Sequence, residues 1–409
     1  MLKISFILIA IIGICYYMLK KRKFDFFTIA YFSALAYFLP GFYGYSLFPP
    51  YNYKTPITDT TYIIFIMVLV GIIFTGFLYD KLWDKDIEFR YIYETKYNKF
   101  ILINFSLVMF ILMLITTGSA LFSPFKAEML EELNRFHLLW SISTSLLTVM
   151  AFINKDKKLL IFGVLFLFFD VYIGFRSTFA ITVIAILMIH FNRKGKQRFL
   201  IENKKMLLIS SILAGFFFVY KQIYAVVKLG RWDIVQERLS TPQFYLDSIT
   251  NSEPFFTQTI LNQVVNTDFS VDGSHMIGIL YLFILFAPEL GAKVTDFNSL
   301  YQHELFPNVE YGMASNIWAE MYSINGLLAV MLFIIIFNLL IVLANRLLYI
   351  KDISLKATVT LIFTYWVFYI HRNDLIYELN LQKRILIIWI IVSIFSFLII
   401  ILKNEKRKG

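Results

Sequence analysis

The 409-residue chain has few charged residues: Asp, Glu, Lys and Arg make up only 16% of it, while 59% is hydrophobic. Soluble domains carry about 25% charged residues, so this composition excludes an ordinary water-facing surface. The single cysteine, Cys15, excludes an internal disulfide and leaves the redox compartment undecided. A membrane-spanning helix needs roughly 20 apolar residues, so the chain has room for about a dozen spans and for no sizeable soluble domain.

The sequence also lacks the motifs of nucleotide and metal chemistry. It contains no glycine-rich phosphate loop, CxxC, HExxH or GxSxG, and its five histidines show no metal-ligand spacing. The longest loop predicted in the cytoplasm, 80–99, is too short for a nucleotide-binding domain, which needs roughly 100 residues. We therefore predict no cofactor and no metal.

Long apolar runs are abundant, and eleven of them predict membrane-spanning helices. These runs are 2–19, 24–48, 61–79, 100–117, 137–153, 159–173, 177–191, 206–225, 314–345, 357–371 and 385–402. A twelfth run, 274–290, is shorter and contains Pro288, so we expect a re-entrant or interfacial segment. The predicted fold is an all-α polytopic membrane protein with a single transmembrane domain, 1–409, and an extracytoplasmic loop region, 226–313.

The positive charge of the chain is unevenly distributed. About two thirds of the lysines and arginines lie in six clusters, one after every second predicted span and therefore all on one side of the membrane. The clusters are 20–23, 80–99, 154–158, 192–205, 346–356 and 403–409. The positive-inside rule then predicts an exterior N-terminus and an interior C-terminus, provided that 274–290 does not cross. The net charge of +10 thus reflects topology and does not predict nucleic-acid binding.

Polar residues at membrane depth are the candidate functional residues, because a charge at the bilayer centre costs at least about 2.5 kcal/mol. Arg176 lies in a turn between two short apolar runs, where it binds an anion, forms a structural ion pair with Asp170 or extends its charge to the membrane surface as a snorkelling arginine. Glu320 shares the spacing i, i+4, i+7 with Asn316 and Ser323, which predicts one polar stripe on a helix. Glu320 is therefore a candidate general acid or base, or a glutamate hydrogen-bonded within helix packing.

Further candidates lie in the predicted outer loops. His371 and Arg372 join the last two spans, where helix caps or interfacial anchors would look the same. Arg231 follows the eighth span beside Trp232, and interfacial anchoring is its alternative role. Guanidinium groups bind phosphate in a bidentate manner, so outward-facing arginines such as Arg176 predict a pyrophosphate site that needs no metal.

Three elements resemble Wzy-type polysaccharide polymerases, the oligosaccharide repeat unit polymerase family. Gly174-Phe-Arg176-Ser-Thr resembles their Ser/Gly-x-Arg-Ser element. An apolar run ending in Pro288 and Lys293, a variable loop and then Ala319-Glu-Met-Tyr-Ser-Ile-Asn-Gly326 is similar to their Ala/Gly-Glu-x-Tyr-x-x-x-Gly pattern. Arg372-Asn-Asp374 resembles their Arg-Gly/Asn-Asp element, and the similarity covers about residues 160 to 400.

The resemblance implies a GT-C-like, metal-independent glycosyltransferase facing the periplasm from the bacterial inner membrane. It would join undecaprenyl-pyrophosphate-linked oligosaccharide units into O-antigen or capsule. Glu320 and His371 are assigned to acid–base catalysis, and Arg176, Arg372, Arg231 and Arg135 to the pyrophosphate. The implied partners are membrane lipid and a Wzz-type chain-length regulator.

Two alternatives stay open. An O-antigen ligase of the same superfamily would transfer the finished chain to lipid A core, and the helix with Glu320 favours the polymerase over it. A flippase or transporter of lipid-linked oligosaccharide would line a central cavity with charges and would often show repeated halves. No internal repeat is visible in the sequence.

Overall fold

The structure is a computed structural model that describes residues 1–48, 53–83, 97–123, 126–282, 294–309 and 312–405. Residues 48, 53, 126–128, 213, 214, 216–218, 221, 404 and 405 are described by their backbone alone. Residues 283–293 lie outside the described residues. They include Lys293 and the end of the predicted 274–290 segment with Pro288.

The described chain is almost entirely helical. Its helices are α1 Leu2–Ile14, α2 Phe26–Tyr37, α3 Leu39–Tyr43, α4 Asp59–Leu82, α5 Asn98–Thr117, α6 Lys126–Glu132, α7 Arg135–Ile153, α8 Lys157–Ile173, α9 Ser177–Arg193, α10 Phe199–Glu202, α11 Lys204–Lys228, α12 Trp232–Ser240, α13 Pro242–Thr250, α14 Glu253–Thr267, α15 Gly273–Tyr281, α16 Phe297–Leu305, α17 Ile317–Leu347, α18 Ile353–Tyr369 and α19 Leu375–Glu405. A π-helical turn at Cys15–Leu19 extends α1, and a 3₁₀ turn at Gly118–Phe122 follows α5.

Strands are few in the part of the chain that the structure describes. Strand β1, Lys21–Arg22, pairs antiparallel with β4, Gln197–Arg198. Strand β2, Tyr45–Phe48, pairs antiparallel with β3, Tyr53–Pro56. The all-α class predicted from the apolar runs is therefore confirmed.

Among the described residues, six helical segments are long and apolar enough to cross a membrane. They are Leu2–Leu19, Asp59–Leu82, Asn98–Phe122, Arg135–Ile153, Ile317–Leu347 and Leu375–Lys403. Large apolar side chains cover the outer faces of the helices, for example Ile115 (73% exposed) and Leu165 (63% exposed). Side chains of this kind are stable against lipid and not against water, so the protein is embedded in a membrane.

The predicted span 24–48 is wrong as one helix. Helix α2 ends at Tyr37, about 18 Å after it begins, and Pro40 starts the short α3 because proline cannot continue the preceding hydrogen-bonding ladder. Gly44, with φ +88°, ends α3 in the left-handed region that favours glycine. The chain then enters the hairpin of β2 and β3. Helices also cover the other ten predicted spans, and the number of crossings stays a prediction.

The described residues of the six cation-rich clusters meet at one end of the bundle, called here the cationic end. Short contacts join them in series, in addition to the pairing of β1 with β4. These contacts are Arg22 with Asp80, Lys23 with Tyr349, Arg193 with the carbonyl of Ile153, Lys99 with Asp156, and Lys403 with the ring of Tyr97. Because α9 and α17 finish at this end, their first residues, and with them Arg176 and Glu320, lie at the opposite end.

Helices α15 and α16, which flank residues 283–293, both contact that opposite end. His275 in α15 contacts Glu320, and the backbone N–H of Phe297 in α16 donates to Asp374. Glu320 and Asp374 are themselves neighbours, because Glu320 accepts the N–H of Leu375. Both ends of the segment that contains 283–293 therefore lie on the same side of the bundle.

Candidate functional site

The corner between α18 and α19, residues 370–375, organises the candidate site. Asp374 caps α19, because its Oδ1 accepts the backbone N–H of Tyr377 at 2.7 Å. Its Oδ2 accepts the N–H of Phe297 at 3.2 Å, which ties the start of α16 to the corner. Asn373 donates to Glu378 at 2.6 Å, so the first turn of α19 is held from both sides.

Glu320 lies next to this corner and is fully buried. Its Oε2 accepts the N–H of Leu375 at 2.8 Å, and its Oε1 lies 2.9 Å from Nε2 of His275. The amino end of α19 carries a partial positive charge, which stabilises an ionised carboxylate at this position. Glu320, His275 and Asp374 are called the carboxylate–histidine cluster below.

The polar stripe predicted around Glu320 takes a different form. Helix α17 begins at Ile317, so Glu320 stands in its first turn and not two turns inside it. Asn316 is the N-cap, accepting from Trp318 N and Ala319 N and donating to the carbonyl of Thr257. Ser323 donates to the carbonyl of Glu320. These polar groups satisfy each other and the backbone, so the stripe is a local hydrogen-bonded helix start.

A break in α17 separates this helix start from the apolar remainder of the helix. Asn325 and Gly326 have non-helical backbone angles, and Gly326 has φ +53°. A side chain is rarely tolerated at that φ, so a glycine at this position permits the break. The break lets the first part of α17, which carries Glu320, take a different direction from the membrane-spanning part.

Two arginines share one acidic partner near the corner. Arg372 Nη1 lies 3.1 Å from Glu253 Oε2, and each side chain is 31% exposed. Arg176 feels the charges of both Glu253 and Arg372. Arg176, Arg372 and Glu253 are called the arginine cluster below. Its net charge of +1 leaves it able to attract an anion.

Local geometry explains the position of each arginine. Helix α8 ends at Gly174, which has φ +111°, while the N–H of Phe175 bonds back to the carbonyl of Asp170 at 2.9 Å. This turn brings Arg176 to the start of α9. Arg372 lies over the ring of Tyr369, with the guanidinium carbon 5.5 Å from the ring centroid.

The pKa values outside the spanning segments describe the electrostatics of the site. Burial lowers the pKa of Arg176, an effect that Glu253 opposes. For Arg372, burial opposes the charge, but Glu253 and neighbouring tyrosines raise the pKa above its ordinary value. Burial, and then the charge of Glu320, raises the pKa of Asp374 to about 7. Asp374 is therefore partly protonated near neutral pH.

His371 is part of the aromatic core. It is fully buried, and its ring lies between those of Tyr37, Phe38 and Trp318. Trp318 Nε1 donates to its Nδ1 at 2.9 Å, so the proton of the neutral ring is on Nε2 and no lone pair is open to a substrate. This placement does not favour His371 as the general base.

Arg231 and Arg135 have exposed side chains, unlike the partly buried Arg372 at the corner. Arg231 is 58% exposed at the start of α12 and pairs with Asp233 at 2.9 Å. Arg135 is exposed at the first position of α7. Exposed arginines of this kind suit a membrane interface better than a desolvated phosphate site.

Asp170 has partners other than the predicted ion pair with Arg176. Its Oδ1 lies 2.8 Å from Nε2 of His137, and its Oδ2 accepts from Ser141 at 2.7 Å. The group is buried between α7, α8 and α9. A second buried carboxylate–histidine pair is therefore present, beneath the turn that carries Arg176.

Sequence reasoning missed His275 and Glu253. His275 follows Asp272-Gly-Ser, and Glu253 lies in the helix-start pattern Ser252-Glu-Pro. Neither pattern indicates chemistry, because the partners of both residues come from distant parts of the chain. Within the described residues no group of three or more His, Cys, Asp or Glu side chains is placed to hold a metal ion.

Comparison with protein-family models, with curated proteins and with solved structures finds no match to this chain.

Proposed function

We propose that this protein is a GT-C-like polysaccharide polymerase of the bacterial inner membrane, with about eleven spans and its site on the periplasmic face. Its substrates are undecaprenyl-pyrophosphate-linked oligosaccharide repeat units, and its product is O-antigen or capsule. It uses no cofactor, because the sugar–pyrophosphate bond of the donor supplies the driving force. Membrane lipid and a Wzz-type chain-length regulator are its proposed partners.

The observation that carries the proposal is the juxtaposition of the two clusters. Arg372 of the arginine cluster and Asp374 of the carboxylate–histidine cluster are two residues apart on one corner. The charge of the same Glu253 also acts on Arg176, which comes from a different part of the chain. A glycosyl transfer from a pyrophosphate needs both kinds of group at once: cations for the departing phosphate and a proton acceptor for the attacking hydroxyl.

The reaction assigned to this site is a displacement at the anomeric carbon of the donor. A hydroxyl oxygen of the acceptor forms the new C–O bond, and the bond between the anomeric carbon and the pyrophosphate oxygen breaks. The arginines stabilise the negative charge on the leaving undecaprenyl pyrophosphate. The hydroxyl proton passes to a base in the carboxylate–histidine cluster.

Glycan length in a strain that lacks this gene tests the function. Loss of a polymerase leaves single repeat units on lipid A core. Loss of a ligase leaves unattached lipid-linked polymer, and loss of a flippase leaves units facing the cytoplasm. Either of the last two outcomes would replace the proposal by that alternative.

Complementation with Arg176→Lys and Arg372→Lys tests the assigned site. Lysine keeps the charge but loses the planar fork, so each change should lower polymer formation roughly 10- to 100-fold, the equivalent of one charge-assisted hydrogen bond. Arg231→Lys is the control and should support normal polymer. Full polymer length in both site variants, at normal protein level, would remove the arginine cluster from the reaction.

A further inference from the structure

His275 has one engaged and one open ring nitrogen. Its Nε2 lies 2.9 Å from Oε1 of Glu320, whereas its Nδ1 is buried and has no hydrogen-bond partner within the described chain. An ionised carboxylate only accepts hydrogen bonds, so Nε2 carries the proton and donates. The neutral ring therefore presents a bare lone pair at Nδ1, which is the state that a general base requires.

Glu320 is poorly arranged to be the base itself. One oxygen accepts from His275 and the other from the backbone of Leu375, and the side chain is fully buried at the amino end of α19. These contacts stabilise its anion and hold it in one orientation. A carboxylate fixed in this way orients an imidazole and stabilises the imidazolium that forms on proton transfer.

We infer that His275 is the base of the proposed transfer and that Glu320 is its positioning residue, an assignment that rests on the proposed function. Nδ1 takes the proton of the acceptor hydroxyl as the oxygen bonds to the anomeric carbon of the donor. The electron pair of the breaking bond leaves with undecaprenyl pyrophosphate at the arginine cluster. The imidazolium then releases its proton to water, which restores the neutral ring.

The second carboxylate–histidine pair in the protein provides a comparison. His137 also bonds a buried aspartate through Nε2 and has a buried Nδ1 with no hydrogen-bond partner among the residues that the structure describes. However, Asp170 is additionally held by Ser141 within the bundle, and the ring of His137 packs against Phe175. The partner of His275 instead bonds the corner that carries Arg372, so His275 is the member of the two that adjoins the phosphate site.

Helix α15 also gives His275 a way to meet substrate. Only His275, Gly278 and Ile279 of its nine residues are buried, while Ile277 and Leu280 are 54% and 61% exposed. A helix with so few buried contacts moves at lower cost than the helices of the core. A movement of α15 about the His275–Glu320 contact uncovers Nδ1 and keeps Nε2 bonded to Glu320.

His275→Gln tests the assignment in purified, full-length protein that makes polymer from lipid-linked units. Glutamine can still donate an amide N–H to Glu320, so it keeps the structural contact and removes only the base. We expect the rate to fall about a hundredfold or more, the usual contribution of a positioned base, with an unchanged melting temperature. A near-normal rate would show that His275 only joins α15 to α17.

His275→Ala with added imidazole gives a readout that a structural role would not move. Imidazole should restore part of the lost rate in His275→Ala. Glu320→Gln should lower the rate about tenfold or more, because the His275 ring loses its orientation, and imidazole should not restore that loss. His137→Ala is the matched control and should show no imidazole-dependent rate. Lack of rescue together with full activity of His275→Gln would overturn the assignment.

The same assay separates this inference from the proposed function. If the wild-type protein makes no polymer and the deletion strain shows a ligase or flippase phenotype, the function itself is wrong. If the wild-type protein polymerises and Arg372→Lys is impaired while His275→Gln is not, only the assignment of His275 is wrong.

Discussion

Glu253 is expected to compete with the ligand of the arginine cluster. Its carboxylate lies 3.1 Å from Arg372 and also acts on Arg176, so it occupies the position where a phosphate oxygen would bind. Replacing Glu253 by Gln keeps the size of the side chain and removes the negative charge. The net charge of the cluster then rises from +1 to +2, and anion affinity should rise with it.

The size of the effect follows from the exposure of the pair. Fully exposed ion pairs are worth about 0.2 to 1 kcal/mol, and hydrogen bonds to charged groups about 1.5 to 3 kcal/mol. With both side chains 31% exposed, the interaction that a ligand must displace lies between these limits, and we take about 1 kcal/mol. The dissociation constant for an anion should therefore fall about fivefold.

Calorimetric titration of the detergent-solubilised protein with inorganic pyrophosphate measures this constant at fixed ionic strength. Asp233→Asn is the matched control, because it also frees an arginine, Arg231, but one that is 58% exposed and isolated. No comparable gain is expected there. Unchanged or weaker binding by Glu253→Gln would mean that Glu253 holds the two arginines in place and does not oppose the ligand.

Three further predictions concern other parts of the molecule. Arg22→Met should lower the free energy of unfolding by about 3 to 5 kcal/mol, because it leaves both carboxylates that Arg22 pairs with, Asp80 and the buried Asp25, without their cation. Lys20→Met removes a half-exposed contact to the same Asp80 and should change the free energy of unfolding little. Equal effects of the two changes in denaturation would refute this. The pKa of Asp374 is raised to about 7, so the folded state favours the protonated form, and stability contributed by that proton should be lost as pH rises from about 4 through 7. Asp374→Asn keeps an N-cap residue and should flatten this part of the melting-temperature profile; an unaltered profile would contradict the shift. Reporter fusions after residues 200 and 300 should read inside and outside respectively, and an interior signal at 300 would overturn the topology.

The positions of the helices could be predicted from the sequence, because a helix in lipid must satisfy its backbone internally and cover itself with apolar side chains. That requirement is local, and it shows in unbroken apolar runs such as those of α4 and α19. The prediction of one helix over 24–48 was wrong for a reason that is also local, because Pro40 and Gly44 interrupt the helix within a run that remains apolar. Residue type and loop position likewise singled out Arg176 and Arg372, whose charges both interact with that of Glu253.

Only the tertiary structure decided which polar groups meet. Glu253 with Arg372, and His275 with Glu320, join helices far apart in sequence, and an apolar or polar face does not reveal which helix will cover it. The same limit applies to His371, because the rings around it, those of Tyr37, Phe38 and Trp318, come from α2, the residue after α2 and α17. Hydrophobic periodicity reports the environment that a residue needs, whereas a catalytic pair depends on a distance, which packing alone sets.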